Sequence, residues 1–370
     1  MTKMVVTPWD VTGKIDYEKL IKEFGVKPID EKLHARIVKL AGEDHHLLRR
    51  NIFFAHTNLD KILDALEKGE KVWLYTGRAP SGPVHLGHIV SWQFTKWLQD
   101  KLGLHLLFQI PDEEKFLFKE GMTFEQGQEW LTDNLKDIIA VGFDPKKTKI
   151  IIDTKHADLM YKTAVEIAKR TTASQAKALF GLKPEDNVGK YFYSCMQSVP
   201  AFLPTIMEGK PTQVLIPCAI DQDVHFRLTR DVAAKLGYPK PSTILCRFLP
   251  ALTSDGKMSS SGENVIAMGD DAKSVRKKIM RYAFSGGKDT VEEHRKHGGD
   301  PDVDVAYQWL TFFEPDDRAL KSIHDAYRSG TLLSGEMKQT LVDVLVPILE
   351  AHQQRKDEIT EKDIQKFLIR

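Results

Sequence analysis

The chain has 370 residues, of which 42% are hydrophobic and 28% charged, with a formal net charge of +1. That length allows a large core and two or three domains, and the balanced charge excludes a chain-wide polyanion-binding surface, so any nucleic-acid contact must be a local patch. No stretch is long enough to cross a membrane, and no basic-then-apolar leader opens the chain, so a soluble cytoplasmic protein without a membrane partner is expected. Cys195, Cys218 and Cys246 lie far apart without CxxC spacing, which predicts buried thiols in a reducing compartment and no structural zinc.

Residues 1–70 read as a mostly helical extension. Asp16 can cap a helix holding Tyr17, Leu20, Ile21 and Phe24, ended by Gly25; a second is expected from about Asp30 to Leu40, and a third opens at Asn58-Leu59-Asp60. Between them His45-His46-Leu47-Leu48-Arg49-Arg50 forms a basic spot, which taken alone reads as a solvated connector.

The segment from Lys71 to Leu98 is the most informative. Val72-Trp73-Leu74-Tyr75 is a buried strand, Gly77, Pro80, Ser81, Gly82 and Pro83 make a turn, and Leu86, Val90, Phe94, Trp97 and Leu98 fall on one helical stripe. His85 and His88 stand at the start of that helix with Gly87 between them. A helix start carries unpaired N–H groups and a positive dipole end, so it suits a phosphate, and residues three apart can address the same group. Gly87, lacking a side chain, lets a flat adenine approach the backbone.

Further strands are expected at Leu104–Ile110, Lys149–Ile152, Val214–Pro217 and Thr243–Cys246, alternating with helices. That alternation predicts an α/β fold, a doubly wound, Rossmann-like parallel sheet. Its ligands sit at the carboxyl ends of strands, which is where Gln109 and Glu114 fall. Residues 157–206 read as a helical insertion in which Tyr193 and Gln197 share a face. Downstream, Asp255-Gly256-Lys257-Met258-Ser259-Ser260-Ser261-Gly262 is a glycine-bracketed loop with one cation and three hydroxyls. It can be a plain surface loop, or one that folds over a triphosphate and stabilises charge on a leaving pyrophosphate. From about Ala272 the chain reads as helical to its end, with a basic cluster at Arg276, Lys277, Lys278 and Arg281.

The pairing of His85-Leu86-Gly87-His88 with Lys257-Met258-Ser259-Ser260-Ser261 resembles the two signatures of class I aminoacyl-tRNA synthetases. Tyr75-Thr76-Gly77-Arg78, Asp112-Glu113-Glu114-Lys115, Ile216-Pro217-Cys218-Ala219-Ile220-Asp221-Gln222-Asp223 and Ala283-Phe284-Ser285-Gly286-Gly287 resemble the tryptophanyl-tRNA synthetases of the archaeal and eukaryotic cytosolic type. The resemblance runs from about Val6 to about Phe367. It implies a catalytic domain over 71–265 holding the insertion, and a helical anticodon-binding domain over 266–370. It implies a homodimer, and RNA contact near the His45–Arg50 spot.

The implied reaction has two steps. The carboxylate of L-tryptophan attacks the α-phosphate of ATP, giving tryptophanyl-adenylate and pyrophosphate; the acyl group then passes to the 3′ end of tRNA(Trp). The first step needs positioning and charge stabilisation rather than a protein nucleophile. His85, His88 and Lys257 are the expected catalytic residues. The implied ATP site comprises Thr76, Gly77, Arg78, His85, Gly87, His88, Lys115, Lys257, Met258, Ser259 and Ser260, with Mg²⁺ arriving on ATP and no metal held by the protein alone. For tryptophan, Tyr75 and Gln109 match the family's indole pair, and Glu114 meets the ammonium with Gln197 and Gln222. The tyrosine-specific sister enzymes carry an aspartate three residues after the glutamine that matches Gln197; here that position is Pro200. A phenol would lack that partner, at a cost of about 1–3 kcal/mol. Tyrosine specificity and a catalytically silent, synthetase-like RNA-binding protein are the alternatives.

Overall fold

The structure, a computed structural model, describes residues 5–6, 11–12, 15–253 and 264–369. Val5–Val6 (β1) pairs antiparallel with Val11–Thr12 (β2). Seven further strands, β3 (Lys27–Pro28), β4 (Phe53–Thr57), β5 (Val72–Gly77), β6 (His105–Ile110), β7 (Thr148–Ile152), β8 (Gln213–Ala219) and β9 (Ser242–Cys246), form one sheet in the order β3-β4-β9-β8-β5-β6-β7. Strands β5 to β9 are parallel. The first of them, β5, is central, with β6 and β7 added on one side and β8 and β9 on the other. This reversal of winding direction opens a crevice at the carboxyl ends of β5 and β8.

The expected doubly wound sheet is therefore present, and it takes in two strands from the segment expected to be mostly helical. Strand β4 runs antiparallel to β9, and β3 to β4. Its apolar residues gave no alternating signal because the strand is covered on both faces: Phe53, Phe54 and Ala55 are all buried. The helices expected before residue 70 occur as Tyr17–Phe24, Glu31–Ala41 and Leu59–Glu67. Asp16 caps the first, accepting the Lys19 N–H at 3.0 Å.

The basic spot is neither a solvated connector nor a free cationic surface. His46 Nε2 lies 2.9 Å from the Phe312 carbonyl oxygen, and Arg50 Nη1 donates to the carbonyl oxygens of Thr311 (3.0 Å) and Glu314 (2.5 Å). Arg49 and Arg50 also pair with Asp317, each at 2.5 Å. These carbonyls end the Val305–Phe313 helix, whose last-turn carbonyl oxygens lack intrahelical N–H donors and carry the negative dipole end. The cations therefore fasten the N-terminal segment to the C-terminal helices.

The sheet divides the core in two. One face packs against the Leu86–Leu102 helix, through Trp92, Phe94 and Trp97, and against C-terminal helices through Trp309, Leu310, Leu341 and Leu345. The other face is covered by the helical insertion, through Met160, Ala164, Ile167, Phe180 and Phe202. All three cysteines are free and buried, as expected.

His45 packs edge-on against Phe94 and Trp97, and burial pushes its imidazole down to about 3; burial also lowers His46. The folded chain holds both rings neutral, whereas unfolded imidazoles gain protons below about 6.5. The stability they contribute is full above that value and is lost as pH falls toward 3. The thermal midpoint should therefore drop between pH 7 and pH 5. His45→Asn, which keeps an acceptor for the Leu47 N–H, should give a shallower slope; equal slopes would contradict this origin.

Candidate functional site

Three groups of residues meet at the carboxyl edge of the sheet. The first is the turn that leaves β5. Gly77 sits opposite Gln109 on β6, and a Cβ there would lie 3.0 Å from the Gln109 carbonyl oxygen, so only glycine fits without displacement. Arg78 then turns inward. Its Nε donates to Asn134 Oδ1 at 2.8 Å, and its Nη2 to the carbonyl oxygens of Gly82 (3.0 Å) and Pro83 (3.2 Å). Asn134 Nδ2 donates to the same Gly82 oxygen at 3.0 Å. Burial lowers the Arg78 guanidinium to about 10. Expected as an ATP ligand, Arg78 is 8% exposed and its nitrogens are turned to this turn and to His88 Nε2. In this geometry it clamps the turn that presents the histidines.

His85 is the N-cap of the Leu86–Leu102 helix, and His88 lies in its first turn. Their rings are 3.7 Å apart, and His88 Nδ1 accepts the His85 backbone N–H at 3.3 Å. The two rings are thus neighbours at the helix start, with His88 Nδ1 turned back to the His85 amide and His88 Nε2 toward Arg78.

The second group is the stem of the downstream loop. Lys257, Met258, Ser259 and Ser260 lie outside the described residues. The chain on either side is well held. Before the loop, the Leu252 carbonyl accepts the Phe284 N–H at 2.8 Å and the Pro250 carbonyl accepts Trp309 Nε1–H at 3.0 Å. After it, the Ile266 carbonyl accepts the Leu86 N–H (3.2 Å), and the Met268 N–H donates to the Val84 carbonyl (2.8 Å), with His85 and Ala267 paired as an antiparallel bridge. Lys278, from the basic cluster, donates to the Val265 carbonyl at 2.7 Å and to Asp270 at 2.6 Å. The end of the loop is therefore stitched onto the histidine turn.

The third group is a buried polar cluster at the strand ends. Tyr75 on β5 donates its hydroxyl to Gln109 Oε1 on β6 at 2.5 Å, and Gln109 Nε2 donates to Asp153 Oδ2, just after β7, at 2.7 Å. Gln197 Nε2 lies 3.5 Å from the Tyr75 oxygen. Tyr193 places its hydroxyl 2.9 Å from both Glu114 Oε2 and Gln197 Oε1, and Lys115 Nζ reaches Glu114 Oε1 at 2.7 Å. Gln222 is at the exit from β8, at the end of the short Ile220–Gln222 turn, and Thr76 is buried beside Tyr75.

Charge in this cluster is uneven. Burial works against ionisation of Glu114, but the Lys115 ammonium and the Tyr193 hydroxyl help to outweigh it, so its pKa falls and the group stays a carboxylate. Glu113 is pushed up to about 7 by burial and by Asp112 and Glu114 beside it. Burial raises Asp153 well above the usual carboxylate range, with Glu113 adding to it, and keeps the Tyr75 and Tyr193 hydroxyls protonated. His225 is lowered to about 4 by burial and is a neutral wall. The arrangement can bind a planar apolar group bearing one N–H donor, place an ammonium at Glu114, and set an anion at the histidine turn.

Asn134, Asp153 and His225 escaped the sequence reading. Asp153 carried a usable signal: it directly follows a parallel strand, as Gln109-Ile110 ends one. Asn134 lies within the Leu131–Ala140 helix and His225 in the first turn of the Asp223–Leu236 helix, just after Asp221-Gln222-Asp223.

The family model described as "tRNA synthetases class I (W and Y)" matches residues 67–350. The chain is 49% identical to a tryptophan–tRNA ligase of Saccharolobus solfataricus, covering 97% of this chain and 94% of that one. It is 46% identical to the cytoplasmic tryptophan–tRNA ligase of Saccharomyces cerevisiae, covering 99% and 89%. A crystal structure of Plasmodium falciparum tryptophanyl-tRNA synthetase matches with a TM-score of 0.90 at 40% identity, covering 95% of this chain and 97% of that one.

If the Lys278 ammonium holds the loop stem, Lys278→Met should speed hydrogen exchange of the amides of residues 265–268 while leaving those of β5 and β6 unchanged. Unchanged protection at 265–268 would show that the bridge to the histidine turn suffices alone.

Proposed function

The chain belongs to the class I tRNA synthetases of the tryptophan and tyrosine group and functions as a tryptophan–tRNA ligase, and from that premise we propose how its residues divide the work. The reading rests on one observation above all: a buried Tyr75–Gln109 hydroxyl–amide pair stands beside an ionised Glu114 at the same sheet edge as the histidine turn.

The indole lies against Tyr75 and Gln109, donating its N–H to their oxygens, and the substrate ammonium meets Glu114 with Gln197 and Gln222. ATP lies over the turn from Thr76 to His88, its adenine near Gly87 and its phosphates near His85, His88 and Lys115. Lys257, Met258, Ser259 and Ser260 close from the loop. Arg78 serves ATP by holding the turn's shape. The tryptophan carboxylate oxygen attacks the α-phosphorus, the bond to the bridging β-oxygen breaks, and pyrophosphate leaves with its added charge met by His85, His88 and Lys257. The ribose hydroxyl of the tRNA end then attacks the acyl carbon, and AMP leaves. Among the described residues no group of three or more His, Cys, Asp or Glu side chains is placed to hold a metal. Mg²⁺ enters this proposal as part of the ATP substrate.

We divide the labour as residues 1–70, 71–265 with the insertion at 157–206, and 266–370 for the anticodon. A homodimer contact on the insertion is supported by Leu159, Tyr161, Val165 and Phe192, large apolar side chains that stand exposed on its helices. The yeast and rat relatives are described as cytoplasmic, which supports the same location here.

Pyrophosphate exchange should depend on tryptophan and show no response to tyrosine. Tyr75→Phe should raise KM for tryptophan about tenfold or more while leaving KM for ATP nearly unchanged, since it removes one buried hydroxyl and orphans Gln109 Oε1. Exchange with tyrosine instead would favour the sister specificity, and no exchange with any amino acid would favour the silent RNA-binding alternative.

A further inference from the structure

The hydrogen bonds at the strand ends form a chain with a direction. Asp153 Oδ2 accepts from Gln109 Nε2 at 2.7 Å, and Gln109 Oε1 accepts from the Tyr75 hydroxyl at 2.5 Å. Tyr75, Gln109 and Asp153 are each no more than 1% exposed, so their polar atoms depend on partners within the cluster. Asp153 is itself fixed, because it follows β7 directly and its backbone N–H donates to the Ile110 carbonyl at 3.1 Å. Its other oxygen, Oδ1, is buried without a partner among the described residues.

We propose that Asp153 is a positioning residue for substrate selection: by accepting the Gln109 amide N–H it sets the direction of this chain, and so makes the strand-end site an acceptor of the indole N–H. The inference rests on Tyr75 and Gln109 being the indole pair.

The argument is one of donors and acceptors. An amide can turn over, exchanging its oxygen and nitrogen with little change of shape. Turned over, Gln109 would point its oxygen at Asp153 Oδ2, a pairing that needs a proton on that oxygen, and its NH₂ at the Tyr75 oxygen. The Tyr75 O–H, no longer used by Gln109, would then point into the site as a donor and oppose the donor of an indole. With Asp153 accepting, Tyr75 spends its only hydrogen on Gln109, so the Tyr75 oxygen, 3.5 Å from Gln197 Nε2, can only accept from any further group. In the present geometry a proton carried by Asp153 sits on Oδ1, leaving Oδ2 to accept from Gln109; the turned geometry would move that proton to Oδ2. Asp153 touches no substrate atom in this account; it acts through Gln109.

Asp153→Asn keeps the size and adds a donor that the turned amide can use. The readout is the kcat/KM ratio for adenylate formation with tryptophan and with its benzothienyl analogue, in which sulfur replaces the indole N–H. The ratio should narrow about tenfold or more in Asp153→Asn, with KM for ATP within about twofold of the parent. Adding Gln109→Glu to Asp153→Asn should restore the wide ratio, because the new amide at 153 then donates to a carboxylate at 109 whose other oxygen accepts from Tyr75. A purely structural role for Asp153 would show no such restoration. An unchanged ratio in Asp153→Asn, together with a collapsed ratio in Gln109→Ala, would overturn the positioning role while sparing the indole pair. An unchanged ratio in Gln109→Ala would overturn the indole pair itself.

Discussion

Two backbone hydrogen bonds, Leu86 N–H to the Ile266 carbonyl and Met268 N–H to the Val84 carbonyl, tie the start of the first long sheet-packed helix to the end of a loop far downstream. They involve no side chain, so they set position without constraining the chemistry around them. The histidine turn is rigid because Arg78 and Asn134 grip its carbonyl oxygens from behind. The loop's stem inherits that rigidity through the bridge.

The polar cluster beside it obeys a stricter rule. Inside a protein an unpaired donor or acceptor costs about 1–3 kcal/mol, so Tyr75, Gln109, Glu114, Tyr193 and Gln197 constrain one another's orientation. A ligand that completes the pattern is held, and one that leaves a group unpaired is rejected by a similar amount. The same burial keeps the two tyrosines as neutral hydroxyls and His225 as a neutral ring, while Lys115 and its neighbours keep Glu114 charged. One small volume therefore offers an acceptor at one end and a carboxylate at the other.

Much of this was legible in the sequence because period and position carry it. Five parallel strands, the helix start after Val84, and the C-terminal helices follow from apolar spacing and cap residues. Gln109 and Glu114 were found by the rule that ligands gather at strand ends. What escaped depended on contacts between distant segments. β4 reads as an apolar run with no alternation because both its faces are buried, Phe53 against Phe94 and Phe54 against Tyr17. The Arg49–Arg50 pair reads as a surface charge, since nothing local shows that it closes the end of the Val305–Phe313 helix. Gly286 was legible only through resemblance; its physical reason is that a Cβ there would sit 2.0 Å from the Asp300 carbonyl oxygen.

The most direct test is a crystal structure of the chain with tryptophan and a non-hydrolysable ATP analogue. The account expects the indole nitrogen within hydrogen-bond distance of Tyr75 and Gln109, the ammonium at Glu114, and the phosphates between His85, His88 and Lys257. An indole nitrogen facing hydrocarbon, or a triphosphate bound with Lys257 turned away from it, would contradict the account.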